Sequence, residues 1–181
     1  MLQRDTLSSA QRGVAKGMAL AVLTTVAGFS LAHWRMQAIT LVEDSLGGRL
    51  SLLATALMLP GLTLMLCIGR LAKHRFFTPA DIDGGALTEG TVTARLLQSL
   101  LQNTLEQVML ALIAYFAATL LLPFNFLSLI PAAALMFFVG RVLFFRGYTQ
   151  GAPSRAYGFA LTFYSTVLLM LATGLAWAFE G

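Results

Sequence analysis

Five apolar stretches dominate the sequence and restrict it to a membrane fold. They occupy residues 17–34, 50–69, 104–122, 124–140 and 156–179. Each is close to the roughly 20 residues that an α-helix needs to cross a ~30 Å hydrocarbon core. In lipid, every backbone N–H and C=O must be bonded within the protein, which leaves helices or a closed barrel. The stretches lack the alternating pattern of barrel strands, so the sequence predicts five transmembrane helices.

Charged residues are too scarce to cover a water-soluble domain of this length. They make up 11% of the 181 residues, whereas soluble domains contain about 25%. The net charge of +4 does not indicate nucleic acid binding, because the basic residues lie in short loops between the apolar stretches and not along one polar face. The one cysteine, Cys67, lies inside the second stretch, which predicts a small buried side chain and no disulfide.

The distribution of Lys and Arg predicts the orientation in the membrane. If the N-terminus is cytoplasmic, ten basic residues fall on the cytoplasmic side, namely Arg4, Arg12, Lys16, Arg70, Lys73, Arg75, Arg95, Arg141, Arg146 and Arg155. Only Arg35 and Arg49 fall on the other side. Because cytoplasmic loops of membrane proteins are enriched in basic residues, we expect a cytoplasmic N-terminus and a C-terminus on the opposite side.

Two segments that contain proline predict local features of the helices. Pro60 and Gly61 lie within the second stretch, where we expect a kink and no helix end, because membrane helices tolerate such breaks. The break Pro123-Phe124-Asn125 is short and begins with a proline that stops a helix. It predicts a tight antiparallel hairpin of the third and fourth helices.

Glu106 is the most informative single residue, because a carboxylate just inside an apolar stretch is energetically unfavourable. Such acids usually face the bundle interior and have a partner there. Asn103 and Gln102 precede Glu106 by three and four residues, so the three share one helix face. They predict either a polar ligand site or hydrogen bonds between helices. The unfavourable energy of a carboxylate in lipid favours the ligand site.

A second group of polar residues lies around the break between the fourth and fifth stretches. Arg141 and Tyr148 are two helical turns apart and therefore share a face. Arg155 follows Ser154, which we expect to cap the fifth helix, and a helix N-terminus beside a guanidinium favours an anion. Arg70, at the end of the second stretch, lies at a similar depth. Each arginine alone could instead extend to the membrane surface, but their common depth favours a ligand site.

Two further patterns favour structural interpretations. His33 and His74 have no second histidine or acid at the spacing of metal ligands, which speaks against a metal site. Gly13 and Gly17 form a GxxxG motif, but it includes Lys16 at the membrane edge. It is therefore weak evidence for dimerisation.

The order of short motifs along the chain resembles that of a known family of membrane proteins. The motifs are Arg70, Phe77-Thr78-Pro79-Ala80-Asp81, Gln102-Asn103-Thr104-Leu105-Glu106, Gly140-Arg141-Val142, Gly147-Tyr148 and Ala152-Pro153-Ser154-Arg155. They resemble the MAPEG family, the membrane-associated proteins of eicosanoid and glutathione metabolism, and within it the microsomal glutathione transferases and prostaglandin E synthase. The resemblance covers about residues 50–179 and four of the five expected helices.

The resemblance implies a four-helix transmembrane bundle that forms a homotrimer and binds glutathione between subunits, in a pocket open to the cytoplasm. It assigns residues 49–181 to this bundle and residues 1–48 to an N-terminal segment with one extra transmembrane helix. Carried over by position, the implied glutathione contacts are Arg70, Asn103, Glu106, Arg141, Tyr148 and Arg155. Among them Arg141 has a supporting role and Arg155 is catalytic, because it stabilises the thiolate. Asp81 is a secondary catalytic candidate.

The sequence departs from the family pattern at three positions. Gln102 stands where a basic residue is usual, Phe144 where a histidine is frequent, and Ala156 where a serine is frequent, so we expect fewer glutathione contacts. The implied activity is that of a glutathione-dependent transferase or peroxidase acting on lipophilic electrophiles from the bilayer. The alternatives are a non-catalytic lipid-binding or scaffold protein of the same fold and, more distantly, a small transporter subunit, against which no internal repeat is visible.

Overall fold

The computed structural model describes residues 8–36, 42–85 and 87–180, and all regular structure in these ranges is helical. The five long helices are α1 (Ser9–Met36), α2 (Leu46–Phe77), α3 (Val92–Leu121), α4 (Leu129–Gly147) and α5 (Ala152–Glu180). Five helical segments, of which the fourth includes the turns that flank α4, are long and apolar enough to cross a membrane. The prediction of an all-α, multi-pass integral membrane protein is confirmed.

The helices extend beyond the apolar stretches at one end of the bundle. α2 continues to Phe77, and α3 begins at Val92, well before the apolar stretch that starts at residue 104. Hydropathy marks the part of a helix that contacts lipid, whereas backbone hydrogen bonding continues into the aqueous boundary. With 32 residues, α2 is roughly 48 Å long and therefore exceeds a ~30 Å hydrocarbon core. The extension of α3 places Asn103 and Glu106 well inside a long helix.

Small residues let the helices of the bundle approach one another closely. The main core contains a set of buried alanines on α3 and α4, namely Ala111, Ala114, Ala118, Ala133 and Ala134. Small side chains favour close packing between membrane helices. The approach is tightest between Gly140 of α4 and Gly158 of α5, where an added Cβ would overlap the facing helix. α4 and α5 therefore form a closely packed pair that carries Arg141 and Arg155.

The connection after α3 is short, as expected, but α3 and α4 do not form a tight hairpin. α3 ends at Leu121, and a 3₁₀ turn over Phe124–Phe126 leads into α4. α4 then packs mainly on α5 and α2 and only slightly on α3. The hairpin prediction is wrong because the turn carries α4 across the bundle. Pro60, as expected, does not end α2.

α1 is part of the packed bundle. It lies along α5 and, over a smaller area, along α4. Ala21 of α1 is fully buried and packs with Ala160 and Leu161 of α5. The division of the chain at residue 48, with α1 as an addition to a four-helix bundle, stays a prediction from the sequence.

Candidate functional site

Arg141 links three helices at the centre of the candidate site. Its side chain has 0% exposure. Nε donates to Thr162 Oγ1 of α5 at 3.1 Å, and Nη1 donates to Asn103 Oδ1 of α3 at 2.8 Å. The third nitrogen, Nη2, is buried and has no hydrogen-bond partner in the described part of the chain. Arg141 also has no carboxylate within ion-pair distance among the described residues, so its positive charge is uncompensated.

The bond from Arg141 orients the amide of Asn103. Because Oδ1 accepts from the guanidinium, the Nδ2 group is left to donate elsewhere. Asn103 is only partly buried, and it lines two separate cavities. The amide nitrogen is therefore available to a ligand in either cavity.

The first cavity, which we call the aromatic cavity, has a volume of about 290 Å³. It is lined by Val14, Asn103, Phe144, Tyr148, Ala152, Arg155, Ala156 and Phe159. Its polar groups come from Asn103, Tyr148 and Arg155, and the remaining lining side chains are apolar. Such a combination suits a ligand with one charged end and one lipophilic end.

Arg155 is held over an aromatic ring at the edge of this cavity. Its Cζ lies 4.5 Å from the centroid of Tyr148. The Tyr148 and Phe144 rings are perpendicular neighbours with 5.2 Å between their centroids, and the Cζ of Arg141 lies 4.4 Å from the Phe144 centroid. Two neighbouring aromatic rings thus each hold one guanidinium group by a cation–π contact.

The start of α5 differs from the expectation. Ser154 is the third residue of α5 and not its cap, because the helix begins at Ala152. Pro153 lies in the first turn, where proline needs no N–H partner and is well tolerated. The Ser154 hydroxyl donates to the Gln150 carbonyl at 3.4 Å instead. Arg155 still lies in the first turn, near the positive end of the helix dipole.

The second cavity, which we call the polar cleft, has a volume of about 380 Å³. It is lined by Gln98, Ser99, Gln102, Asn103 and Glu106, all from α3. Gln102 Nε2 donates to Glu106 Oε1 at 3.0 Å. Asn103 is the one lining residue that the polar cleft and the aromatic cavity have in common.

Glu106 lies on the outer surface of the bundle and not in its interior. The side chains of Thr104 and Gln107 turn inward and are buried, whereas Glu106 is exposed. The expectation of an inward-facing carboxylate is wrong for the single chain, because the buried face of α3 is defined by its contacts with α2 and α5. Helix periodicity groups residues on a face but does not tell which face is inside.

Arg70 lines neither cavity, and unlike Arg141 it has no hydrogen bond with a described residue that does. It is exposed on α2 and has no hydrogen bond or ion pair with any described residue. A series of contacts joins the other predicted site residues of this region: Arg141 contacts Asn103, Arg155 contacts Tyr148, and Phe144 lies between Arg141 and Tyr148. Glu106 joins them through the polar cleft.

Asp81 forms a polar cluster that sequence analysis missed. The carboxylate is 2% exposed and accepts from the Thr91 amide at 2.7 Å and the Thr91 hydroxyl at 2.6 Å. His74 Nε2 lies 2.8 Å from Asp81 Oδ2. Thr91 also caps α3, because its hydroxyl accepts from the Ala94 amide at 3.2 Å. These bonds, led by those from Thr91 and opposed by burial, hold the pKa of Asp81 below its ordinary value of 3.8.

The Asp81 cluster ties α2 to the start of α3, and Asp81 lines a third cavity of about 370 Å³. This cavity shares Gln98 and Ser99 with the polar cleft and has no lining residue in common with the aromatic cavity. Within the cluster His74 has an acidic partner, but the pair forms no metal site among the described residues. His74 and Asp81 are seven residues apart, and the end of α2 and a 3₁₀ turn over Pro79–Asp81 lie in this interval. This is not a spacing that indicates metal ligands. In the sequence, only the family resemblance pointed to Asp81, and the hydrogen bonds that a buried aspartate needs become visible only in the structure.

A comparison with protein families identifies the chain. The model of the MAPEG family matches residues 50–175, more than half of the 181-residue chain, and this match covers all of α3 and α4 and most of α2 and α5. Comparisons with curated proteins and with solved structures gave no match. The chain, an integral membrane protein with a general role in glutathione or lipid metabolism, therefore belongs to the MAPEG family.

Proposed function

We propose that the protein binds glutathione across the polar cleft and the aromatic cavity and joins its sulfur to lipophilic electrophiles. The observation that carries the proposal is the bond between Arg141 and Asn103. This bond places an uncompensated buried cation behind an amide that lines both cavities. A buried charge without a partner is unfavourable, and an anionic ligand next to Asn103 would compensate it.

The charges around the two cavities match those of glutathione. The tripeptide carries two carboxylates and one ammonium group. Arg155 and the Asn103 amide can bind carboxylate or thiolate groups, and the exposed Glu106 carboxylate can bind the ammonium group. Arg141 contributes through its charge and through the orientation of Asn103. This donor and acceptor set supports glutathione over a ligand without charged ends.

Arg155 is the proposed catalytic residue. Its guanidinium lies over Tyr148 in the aromatic cavity, where water is partly replaced by rings of Phe144 and Phe159. A free thiol has a pKa of about 8.5, and each unit by which a cation lowers that pKa corresponds to about 1.4 kcal/mol of thiolate stabilisation. Arg155 would thus stabilise the thiolate of glutathione at neutral pH, after the thiol proton has passed to water.

The protein itself needs no nucleophile for the proposed chemistry. With a chlorinated nitrobenzene, the thiolate sulfur forms a bond to the ring carbon, and chloride leaves with the bonding electron pair. With a hydroperoxide, the thiolate attacks the outer oxygen and yields an alcohol, and a second glutathione then converts the oxidised sulfur to a disulfide and water. In both reactions the protein contributes proximity and electrostatic stabilisation.

A homotrimer would complete the site. Arg70 and Glu106 are exposed in the single chain, and exposed charges on membrane helices are unfavourable unless another protein surface or water covers them. A neighbouring subunit that brings Arg70 to the polar cleft would supply the cation that the single chain lacks there. This arrangement would open to the cytoplasm, since we place the N-terminus on that side.

The proposal is tested with detergent-purified protein, glutathione and 1-chloro-2,4-dinitrobenzene. We expect glutathione-dependent formation of the conjugate. Arg155→Ala should abolish it while leaving the trimer intact on size-exclusion chromatography with light scattering. The matched control is Arg146→Ala, because Arg146 is exposed near the same end of the bundle and lines neither cavity.

The rival function is a non-catalytic lipid-binding or scaffold role. It would be favoured if glutathione raises the melting temperature of the wild-type protein but several electrophiles and hydroperoxides give no turnover. If glutathione neither stabilises the protein nor supports turnover, the proposed glutathione site is contradicted. Catalysis depends on the presence of Arg155 over Tyr148 and not on the fold alone.

A further inference from the structure

α1 approaches the start of α5 so closely that a Cβ added at either of two glycines would crowd the facing helix. A Cβ added at Gly13 would lie 2.9 Å from the Cβ of Pro153. A Cβ added at Gly17 would lie 3.1 Å from the Cβ of Ala156. The GxxxG motif therefore packs against α5 of the same chain, as small residues do between membrane helices.

α1 is also held along its length and at its far end. The hydroxyls of Thr24 and Tyr157 lie 3.1 Å apart. At the far end, the His33 ring stacks on Phe126 with 4.7 Å between centroids, and its Nδ1 lies 3.2 Å from the Asn125 carbonyl oxygen. A helix with contacts at both ends and in the middle is fixed relative to its neighbours.

Val14 lies between the two glycines and reaches the candidate site. It is partly buried and is the one α1 side chain that lines the aromatic cavity. The close approach at Gly13 and Gly17 determines how far Val14 enters that cavity. α1 thus supplies a wall of the cavity from outside the residues 50–175 that match the family.

We infer that α1 is a fixed wall of the aromatic cavity and that Val14 limits the size of the electrophile that this cavity accepts. The inference rests on the proposed glutathione chemistry and adds a specificity-determining residue to it. The aromatic lining of Phe144, Tyr148 and Phe159 favours flat aromatic electrophiles, because aromatic rings prefer stacked or edge contacts. Val14 narrows the aromatic cavity, so electrophiles with additional fused rings are excluded.

The position of α1 is tested by a disulfide that needs no glutathione. A Cβ added at Gly13 lies 2.9 Å from the Cβ of Pro153, so in Gly13→Cys/Pro153→Cys the two Cβ atoms must move apart by about 0.9 Å to reach the ~3.8 Å that is usual for a disulfide. We expect oxidation to remove two maleimide-reactive thiols from the double variant and none from either single variant.

The role of Val14 is tested by selectivity between two acceptors. The kcat/KM for a chlorinated dinitronaphthalene is divided by that for 1-chloro-2,4-dinitrobenzene. We expect Val14→Ala to raise this ratio about tenfold and Val14→Trp to lower it by a similar factor, as is typical of size changes in apolar pockets. The KM for glutathione should stay near that of the wild type. Val26→Trp is the matched control, because Val26 is 52% exposed on the same helix.

The outcomes separate this inference from the proposed function. Wild-type turnover together with an unchanged ratio in both Val14 variants would overturn the inference alone. Absence of the disulfide would overturn it as well, because α1 would not lie where the wall requires it. If the double variant forms the disulfide but the wild-type protein neither binds nor conjugates glutathione, the proposed function is overturned. The proposed role of Val14 in limiting the size of the electrophile then falls with it.

Discussion

Arg141 on α4 donates a 2.8 Å hydrogen bond to the side-chain oxygen of Asn103 on α3. The bond fixes which end of the Asn103 amide faces the two cavities. It also places a buried positive charge directly behind the proposed ligand. Arg141 lines neither cavity, so it acts on the ligand through Asn103 and its charge, as a positioning residue.

Replacement of Arg141 by Met should separate ligand binding from stability. Removing an unpaired buried cation is often neutral or stabilising, so we expect an unchanged or higher melting temperature. Asn103 would lose its fixed orientation, and the KM for glutathione should rise roughly 10-fold to 100-fold, the value of a hydrogen bond to a charged group. Arg146→Met, on the exposed side of the same helix, is the control. A large loss of stability in Arg141→Met would mean that Arg141 serves mainly to hold the helices together.

Tyr148 should act mainly through its ring. Arg155 lies 4.5 Å above that ring, and a partly desolvated cation–π contact contributes about 1–2 kcal/mol. Tyr148→Phe keeps the ring and should retain most of the kcat. Tyr148→Leu should lower kcat about 5-fold to 30-fold and raise the apparent pKa of the pH–rate profile, because Arg155 would be released from its position. Equal losses in the two variants would instead assign the role to the hydroxyl group.

The Asp81 cluster should make the protein sensitive to acid. The hydrogen bonds from Thr91, with help from His74, lower the pKa of Asp81 below 3.8. The folded state therefore binds fewer protons than the unfolded state near this pH, so the contribution of Asp81 to stability is present above about pH 4 and is lost as the pH falls through the lowered pKa. Melting temperatures between pH 7 and pH 3 measure this loss.

The comparison for this prediction is between two neighbouring aspartates. Asp81→Asn should have a lower melting temperature than the wild type at pH 7. As the pH is lowered, its melting temperature should fall less than that of the wild type. Asp83→Asn should follow the wild type, because Asp83 is exposed. The proposed ionic role of Asp81 would be contradicted by a wild-type melting curve that does not change down to pH 3.

Complementation between two inactive variants tests whether the site lies between subunits. Arg70→Ala and Arg155→Ala should each be inactive as homotrimers. When they are co-expressed in equal amounts, about a quarter of the interfaces in a cyclic trimer would combine an intact Arg70 with an intact Arg155. We expect about a quarter of wild-type turnover from the mixture. No recovery in verified mixed trimers would mean that both arginines act within one chain, whereas an active Arg70→Ala homotrimer would mean that Arg70 has no role.

The sequence predicts the helices better than it predicts their contacts. Apolar length alone gives five spans, and helical spacing correctly pairs Arg141 with Tyr148. It does not show that Glu106 points outward, because only the neighbouring helices determine which face is buried. The sequence names Asp81 through the family resemblance but misses its hydrogen bonds, because the partners are His74 on α2 and Thr91 at the start of α3. Val14 carries no signal at all, since its position depends on how α1 packs against α5.

The most direct test of the account is the ultraviolet absorbance of the glutathione thiolate on binding. A thiol with a pKa of about 8.5 is only a few per cent ionised at pH 7. If Arg155 stabilises the thiolate, titration of the wild-type protein with glutathione at pH 7 should give a saturable thiolate absorbance. Arg155→Ala should lose this absorbance, and Asn103→Ala should require higher glutathione concentrations to reach it. A wild-type protein that gives no saturable thiolate signal at any glutathione concentration would contradict the account.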